Sequence, residues 1–225
     1  MYPAAKRLFD IVFALLGLVL TLPLFAVIAL LIKRDSEGPV FYRAPRVGKD
    51  GKPFKMLKFR TMVANADKIG GPSTANDDPR ITRVGRFLRR YKLDELPQLI
   101  NVLKGEMSFV GPRPEVQQYV DMYTEEEKAI LTVKPGITDW ASLWNSDEGA
   151  VLAGSPDPEK AYLELIRPTK IKLQLEYVRR RSFLTDLGIL LRTVMAVVCR
   201  STSPAVSELG GCDGSTRDSS RGRER

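Results

Sequence analysis

A run of apolar residues near the start of the chain constrains the fold more than any other feature. Residues 11–32 carry no charge, and as one helix they would measure roughly 30 Å, the thickness of a hydrocarbon core. A secretory signal peptide fits poorly, because the run is long and has no small-x-small cleavage site before Lys33-Arg34. The run therefore predicts a membrane segment, and the more polar remainder predicts a cytosolic domain that rests on the membrane.

Charges on both sides of the run bear on its path through the membrane. Lys6-Arg7 precede it and Lys33-Arg34 follow it, and basic residues favour the cytoplasmic side. A single span would place one pair on the wrong side, whereas a helix-break-helix that enters and leaves at one face satisfies both. Pro23 removes a backbone donor and could set the break, and the Thr21 hydroxyl could satisfy a freed carbonyl. A plain span kinked at Pro23 fits the residues equally well.

The composition excludes several kinds of chemistry. The 225 residues include no histidine, which rules out histidine general bases, Ser-His-Asp triads and HExxH zinc sites. The two cysteines, Cys199 and Cys212, lack metal-ligand spacing and indicate a reducing compartment. The formal net charge of +8 requires anionic partners, and basic residues are concentrated between positions 43 and 92, beside the membrane segment. Lipid headgroups and a diphosphate substrate would both be attracted there.

Periodicity in the rest of the chain predicts an α+β fold that is mostly helical. Asp50-Gly51 lies between two alternating stretches and predicts a small β-hairpin. Residues 82–92 place apolar side chains on one side and arginines on the other, which is typical of an amphipathic interfacial helix. A surface helix packed on a core is the alternative. The other predicted segments are helices at 94–105, 115–133, 158–181 and 183–198 and a loop at 149–158.

One pair of acidic residues is a candidate for catalysis. Asp94 and Glu95 open a predicted helix, where the helix dipole, Arg89 and Arg90 would favour the charged form of Asp94. An ionised carboxylate at a site that attracts phosphate can act as a nucleophile on phosphorus, and a second carboxylate beside it suits Mg²⁺. The alternative is an ordinary N-cap Asp followed by a Glu that complements the helix dipole. Without further information the residues favour that alternative.

Two basic motifs are candidates for holding a phosphate-bearing substrate. Arg113 is pinned between two prolines and can bind phosphate with two parallel hydrogen bonds, although proline-flanked arginines are common in loops. Lys58 and Arg60 lie close together, and the alternative for them is the solvent face of an edge strand. Neither a P-loop motif nor a Gly-x-Gly-x-x-Gly fingerprint occurs. A nucleotide-sugar site would therefore be built from Arg, Lys and Mg²⁺.

Several short strings follow one another in a fixed order after Lys6-Arg7, Asp10 and the apolar run. They are GPV at 38–40, RVG at 46–48, KFRTM at 58–62, DPRIT at 78–82, LDELPQ at 93–98, NVLKG at 101–105, MSFVGPRP at 107–114 and KPGIT at 134–138. In this order they resemble the bacterial sugar transferase family, the monotopic phosphoglycosyl transferases, over about residues 6–198. The chain is expected to be the minimal catalytic form of that family.

The resemblance implies a fold, a reaction and a location. It implies a re-entrant membrane helix at residues 1–34 and a membrane-apposed catalytic domain at 35–199. The composition after Arg200, rich in Ser, Gly, Arg and Asp, separately predicts a disordered tail at 200–225. The resemblance implies Mg²⁺-dependent transfer of a hexose-1-phosphate from a UDP-sugar to polyprenyl (undecaprenyl) phosphate, with release of UMP. That reaction would be the first membrane step of a surface polysaccharide or glycoconjugate pathway. The enzyme would lie in the bacterial inner membrane, among its lipids, with the catalytic domain on the cytoplasmic face, and a homodimer stays open.

The resemblance also assigns roles to particular residues. Asp94 matches the nucleophile that holds the sugar-phosphate covalently, and Glu95 matches the metal-binding carboxylate. Arg89 and Arg113 match basic residues near the substrate phosphates. Further family positions with less definite substrate-binding roles are Lys58, Arg60 and Asp186.

Three positions depart from the family pattern. Leu22-Pro23 stands where Ser-Pro is common at the membrane break. Ala44-Pro45 stands where a Gln is common, and Asp139 stands where a Gly commonly follows the KPGIT string. The last two departures bear on details of the substrate pocket.

Two other classes of protein are alternatives to this interpretation. A membrane-tethered nucleic-acid-binding protein is supported by the basic stretch alone, and the chain has no recognisable nucleic-acid-binding motif. We therefore predict no nucleic-acid partner. A non-catalytic scaffold for glycan assembly is the other alternative, and the intact Asp94-Glu95 pair argues against it.

Overall fold

The computed structural model describes residues 2–202, with side chains for residues 2–197, and confirms the predicted α+β class with mostly helical elements. The predicted tail lies outside the described residues, except that a helix continues to Thr202. The helices are α1 (Tyr2–Asp35), α2 (Arg83–Arg90), α3 (Gln98–Lys104), α4 (Gln117–Val120), α5 (Trp140–Trp144), α6 (Glu148–Leu152), α7 (Pro158–Ala161), α8 (Arg167–Arg180) and α9 (Phe183–Thr202). The strands are β1 (Phe41–Val47), β2 (Pro53–Phe59), β3 (Ser108–Val110) and β4 (Gly136–Thr138).

The first helix, α1, is a single helix of 34 residues that continues through Pro23. The predicted interruption at this proline is therefore not found. Proline removes one donor, the N–H that would reach the carbonyl of Val19, and leaves the other hydrogen bonds of the helix in place. The Thr21 hydroxyl donates to the Gly17 carbonyl (2.7 Å) and does not satisfy the carbonyl that Pro23 frees.

The N-terminal half of α1 packs against α3 and β3. Arg7 donates to the carbonyls of Val102 and Leu103 (2.6 and 2.8 Å), where its charge complements the C-terminal end of α3. The carboxylate of Asp10 is buried and accepts from the Ser108 hydroxyl and the Phe109 N–H (3.0 and 3.1 Å). These contacts fix the start of α1 to the domain.

The C-terminal half of α1 packs against the other side of the same domain. Ile28 and Ile32 are buried with Phe59 of β2 and Leu88 of α2. The carboxylate of Asp35 accepts from a backbone N–H in the first turn of α2 (2.9 Å). Both halves of α1 are therefore attached to one domain.

The middle of α1 has little protein contact. Val19, Leu20 and Leu22 are 63%, 70% and 67% exposed, although all three are apolar. Among the described residues, α1 is the one helix long and apolar enough to cross a membrane. A helix that spans a bilayer carries its two ends to opposite sides. Both ends of α1 contact one domain, and entry and exit of this segment at one face of the membrane stays a prediction.

The predicted hairpin is confirmed. Strands β1 and β2 pair antiparallel, with Ala44 opposite Met56, and both of these side chains are buried. Asp50 (φ 59°) and Gly51 (φ 73°) make the turn in the left-handed region that Asn, Asp and Gly tolerate best. Asn101 of α3 accepts from the N–H of β2 residue 57 and donates to the carbonyl of residue 55, both at 2.9 Å. This side chain fixes the hairpin to α3.

Strands β3 and β4 were not predicted, because three residues are too few for a periodic pattern. They pair in parallel, with Ser108 opposite Gly136. A Cβ atom at Gly136 would lie 2.1 Å from the Gly111 nitrogen, so the close approach of the two backbones requires glycine. The pairing brings the loop after β3, which contains the proline-flanked arginine, beside β4 and α5.

The prediction of one continuous helix over residues 115–133 is wrong. The structure has α4 and, after a turn, a 3₁₀ segment at Glu127–Thr132. The Thr124 hydroxyl accepts from the Glu127 N–H (3.3 Å), and the Glu127 carboxylate accepts from the Thr124 N–H (2.9 Å). This reciprocal pair is a capping box, which starts a new helical segment inside the predicted one.

The C-terminal part of the chain is helical largely as predicted. A π-helical turn at Tyr162–Ile166 joins α7 to α8, and α9 follows. The predicted loop at 149–158 begins inside α6, which Asp147 caps by accepting from the Ala150 N–H (3.1 Å). The cap aspartate stands before the predicted loop, and the helix after it is too short for a periodic pattern.

The amphipathic helix predicted over residues 82–92 is present as α2. Thr82 caps it by accepting from the Gly85 N–H (3.0 Å). Leu88 is buried, whereas Phe87 and Tyr91 are 53% and 43% exposed, with ring centroids 4.9 Å apart. An exposed aromatic pair on a basic helix suits a membrane interface, and that placement stays a prediction.

Candidate active site

Asp94 lies in a 3₁₀ turn, Leu93–Glu95, between α2 and α3. Lys92 precedes the turn in the left-handed conformation (φ 56°) and reverses the chain after α2. The N-cap role for Asp94 is wrong, because α3 begins at Gln98 and no side chain caps it. Asp94 is 6% exposed, and its Oδ1 atom has no hydrogen-bond partner among the described residues. A buried carboxylate oxygen without a partner is costly in a folded protein and indicates a functional group.

Glu95 is held by two cations that come from distant parts of the sequence. Lys58 of β2 donates from Nζ to Glu95 Oε1 (3.0 Å). Arg113, in the loop after β3, donates from Nη1 to Oε2 (3.2 Å) and from Nη2 to Oε1. The structure thus brings together the acidic pair and two of the predicted substrate-binding residues.

The two neighbouring carboxylates have pKa values that are displaced in opposite directions. Burial raises the pKa of Asp94, and the charge of Glu95 adds to this, while Lys58 and Arg89 act in the opposite direction. Burial alone would also raise the pKa of Glu95, but Arg113 and Lys58 outweigh it and hold that pKa well below its usual range. The pKa of Asp94 is thus displaced in the opposite direction to the one expected from the nearby cations, because burial outweighs them.

Arg89 lies near the acidic pair without a direct ion pair among the described residues. Its positive charge lowers the pKa of Asp94, together with Lys58 and Lys92. A partly exposed guanidinium beside a buried carboxylate is available to an anionic ligand. Its predicted role beside the substrate phosphates stays a prediction.

Two other predicted residues hold the fold together. Arg60 is buried and donates to the carbonyls of Ser36 (2.9 Å) and Glu37, just after α1. Asp186 of α9 accepts from Lys6 Nζ (2.5 Å) and from tyrosine hydroxyls of α1 and α8 (2.8 Å each). No contact joins either residue to Asp94 or Glu95 in the described part of the chain. Substrate binding by these two residues stays a prediction.

The backbone of Arg113 is fixed by residues that the motifs did not identify. The Arg113 N–H donates to Asp139 Oδ2 (3.2 Å), and Gln174 Nε2 donates to the Arg113 carbonyl (3.3 Å). Asp139 was noted as a departure from the family pattern, without a role. Gln174 lies in the middle of α8, where no local signal marks it.

A second buried charge cluster lies behind this loop. Lys170 of α8 contacts Glu115 (2.5 Å), and the Tyr162 hydroxyl donates to the same carboxylate (2.8 Å). Burial acts against the charge of Glu115, but Lys170 outweighs it and lowers the pKa of Glu115. Sequence reasoning missed this cluster, because its members come from three separate elements.

The described side chains supply few ligands for a metal ion. Among residues 2–197, no group of three or more His, Cys, Asp or Glu side chains could hold a metal ion. Mg²⁺ often binds through one or two carboxylates, with water and substrate phosphates completing its shell. Oδ1 of Asp94 is free for such a contact, whereas both oxygens of Glu95 already accept from Lys58 or Arg113. Binding of Mg²⁺ by this pair together with a phosphate-bearing substrate stays a prediction.

The fold and this site belong to a known class of enzyme. The sequence model of the bacterial sugar transferase family matches residues 1–200, and the chain belongs to that family. The predicted family and enzyme class, a membrane-associated phosphoglycosyl transferase, are thereby confirmed.

Individual relatives share much of the sequence. Exopolysaccharide production protein ExoY of Sinorhizobium fredii is 37% identical over 208 residues, which cover 86% of this chain and 85% of that protein. A putative undecaprenyl-phosphate N-acetylgalactosaminyl 1-phosphate transferase of Bacillus subtilis is 50% identical over 125 residues, 56% of this chain and 70% of that protein. The UDP-glucose:undecaprenyl-phosphate glucose-1-phosphate transferase of Escherichia coli is 45% identical over 193 residues, 84% of this chain but 39% of that protein. The names of the Bacillus subtilis and Escherichia coli relatives specify different sugars.

Proposed function

We propose that this protein transfers a hexose-1-phosphate from a UDP-sugar to undecaprenyl phosphate and releases UMP. The observation that carries the proposal is the buried carboxylate of Asp94, whose Oδ1 has no partner among the described residues although Lys58 and Arg89 lie near. Family membership supports the reaction class. The names of the Escherichia coli and Bacillus subtilis relatives support undecaprenyl phosphate as the acceptor.

The proposed reaction consists of two displacements at one phosphorus atom. A carboxylate oxygen of Asp94 attacks the β-phosphorus of the UDP-sugar, the bond from that phosphorus to the bridging oxygen breaks, and UMP leaves with the bridging oxygen. The sugar-phosphate is then held on Asp94 as an acyl phosphate. An oxygen of undecaprenyl phosphate attacks the same phosphorus, the bond to Asp94 breaks, and the carboxylate is restored. Both nucleophiles are anions, so neither step needs a histidine base, which this chain lacks.

The cations of the site serve this chemistry by neutralising charge. Asp94 must be ionised to attack; burial raises its pKa, and Lys58 and Arg89 act in the opposite direction and so favour the reactive form. Arg113 donates to Glu95 through two of its nitrogens and has further N–H donors that can bind phosphate oxygens. Positive charge that is already in place stabilises the charge that develops on the transferring phosphoryl group.

Mg²⁺ is the proposed metal. The oxygens of Asp94 and Glu95 would hold it together with the diphosphate of the substrate, and Lys58 or Arg113 would then share Glu95 with the metal. A divalent cation at this place neutralises phosphate charge and orients the leaving group. We infer that a complete metal site forms only when the UDP-sugar is bound, since the two carboxylates alone supply few ligands.

The protein is proposed to lie at the cytoplasmic face of the bacterial inner membrane, with α1 as a re-entrant segment. Lys6-Arg7 and Lys33-Arg34 both favour that side, and both halves of α1 contact one domain. The exposed apolar middle of α1 would then be covered by lipid acyl chains. Because α1 is one continuous helix, the segment lies obliquely or bends at Pro23 without a loop.

A cysteine placed at Pro3, after replacement of Cys199 and Cys212, is expected to stay unlabelled by a membrane-impermeant thiol reagent in intact cells. The same cysteine should react once the cells are permeabilised, which is the control for reactivity. Pro23→Ala restores one hydrogen bond in a helix that is already continuous, and Arg7 and Asp10 still tie the start of α1 to the domain, so this variant should also stay unlabelled in intact cells. Labelling of the Pro23 parent in intact cells would show an ordinary span.

The proposed function is tested by UMP release from a panel of UDP-sugars with purified protein, undecaprenyl phosphate and Mg²⁺. We expect one or a few UDP-sugars to give UMP and a lipid-linked sugar in equal amounts. Omission of the acceptor should limit UMP to about one equivalent per enzyme, as a covalent intermediate requires. Absence of UMP with every UDP-sugar would instead favour the scaffold alternative.

A further inference from the structure

Asp139 uses its two carboxylate oxygens for two different purposes. Oδ1 caps α5, where it accepts from the N–H and the hydroxyl of Ser142 (2.7 Å each). Oδ2 faces away from that helix and accepts from the N–H of Arg113 (3.2 Å) and from Nε2 of Gln174 (3.3 Å). The side chain of Asp139 is completely buried, so these contacts lie inside the domain and away from solvent.

Gln174 completes the contact from the other side. Its Nε2 atom donates both to Asp139 Oδ2 and to the carbonyl of Arg113, each at 3.3 Å. The N–H and the carbonyl of one residue, Arg113, are therefore both held by this pair. Pro112 and Pro114 restrict the backbone on either side of it.

Arg113, whose backbone Asp139 and Gln174 hold, is also the residue whose guanidinium contacts Glu95 of the acidic pair. Arg113 binds both oxygens of Glu95, and Glu95 adjoins Asp94. A small movement of the Arg113 backbone would be carried along its side chain to the site where the phosphoryl group is transferred.

We propose that Asp139 and Gln174 are positioning residues that fix the backbone of Arg113, so that its guanidinium meets Glu95 and the substrate phosphates in one geometry. The proposal rests on the proposed function. Asp139 touches neither Asp94 nor Glu95 through any described contact and acts through Arg113. Misplacement of a catalytic contact by about 1 Å can cost on the order of a hundredfold in rate. Loss of either Asp139 or Gln174 leaves the other in contact with the Arg113 backbone, so each single loss should lower kcat/KM about tenfold.

The competing explanation is that Asp139 merely caps α5. Asp139→Ser separates the two purposes, because Ser is a good N-cap but has one oxygen and cannot also reach Arg113. Gln174→Leu removes the other half of the clamp and leaves the cap untouched. Gln174→Leu also removes the buried Oε1, which has no partner among the described residues, and this offsets part of the cost of the two hydrogen bonds that Nε2 donates, so the melting temperature should fall only slightly. The matched control is Asp157→Ser, which changes the exposed cap of α7.

The test is a double-mutant cycle in the UMP-release assay, with Arg113→Lys as the second background. We expect Asp139→Ser and Gln174→Leu each to lower kcat/KM about tenfold in the parent, and the Asp139→Ser/Gln174→Leu double variant, which loses both contacts to Arg113, to lower it by up to about a hundredfold. In the Arg113→Lys background both should cost less than about twofold, because Lys cannot use the fixed fork geometry. Asp157→Ser should retain parental activity and a similar melting temperature.

Equal losses in both backgrounds, or full activity of Asp139→Ser and Gln174→Leu, would overturn the proposal. Loss of activity in Asp139→Ser alone, in step with a lower melting temperature, would show that capping is its purpose. These outcomes are distinct from failure of the proposed function, in which the parent itself releases no UMP.

Discussion

Replacement of Asp94 by Asn is expected to lower sugar-phosphate transfer by roughly a thousandfold or more, as when a covalent catalyst loses its attacking group. The amide nitrogen and oxygen are poor nucleophiles, and the neighbouring carboxylate of Glu95 is a poor substitute. Both oxygens of Glu95 accept from Lys58 or Arg113, and those cations hold its pKa well below its usual range. A carboxylate that is so strongly stabilised is a weak nucleophile.

The fold should tolerate this change, which makes the activity loss interpretable. Asn has nearly the shape of Asp, and Oδ1 of Asp94 has no hydrogen bond to lose among the described residues. Removal of a buried charge should leave the free energy of unfolding unchanged or slightly raised. Thermal unfolding of parent and variant is the control. Transfer within a few-fold of the parent, at equal stability, would contradict the covalent role of Asp94.

Replacement of Glu95 by Gln is expected to have the second largest effect, a fall of about a hundredfold in kcat and a higher Mg²⁺ requirement. Mg²⁺ prefers anionic oxygen ligands, and Gln offers a single neutral one. The same change leaves Lys58 and Arg113 without a charged partner. Because both remain partly exposed (20% and 27%), we expect a loss of about 2 kcal/mol in the free energy of unfolding.

A Mg²⁺ titration of activity checks this prediction, with thermal unfolding measured beside it. The matched control is Glu127→Gln, which removes one partner of a similarly buried ion pair with Arg167. The control should lose some stability but should keep its metal dependence. An unchanged Mg²⁺ requirement in Glu95→Gln would show that Glu95 is not a Mg²⁺ ligand.

Local patterns in the sequence predicted those parts of the fold that depend on neighbours along the chain. The Asp50-Gly51 turn, the amphipathic face of α2 and the Gly105 end of α3 all follow from backbone preference or periodicity. The sequence also contains the capping box that begins at Thr124, but the apolar pattern around it predicts one helix. In that stretch a local polar signal outweighs periodicity.

The sequence predicted which motifs contribute to the site but not how they are arranged, since that arrangement depends on burial and on contacts between distant residues. The position of Asp94 after several arginines suggested a charged carboxylate at a helix start, whereas burial raises its pKa and no helix begins there. Contacts such as that of Gln174 with Arg113 join residues 61 positions apart and leave no trace in local sequence. The three-residue strands β3 and β4, which place Arg113, are likewise too short to recognise.

The central claim, a sugar-phosphate held on Asp94, is tested most directly by mass spectrometry of the protein after reaction with a UDP-sugar and Mg²⁺ without acceptor. We expect a mass increase equal to one sugar-phosphate, located on the peptide that contains Asp94, and its disappearance when undecaprenyl phosphate is added. The Asp94→Asn protein should show no increase. A parent enzyme that turns over rapidly with acceptor but never carries the adduct, or an adduct that persists in Asp94→Asn, would contradict the account.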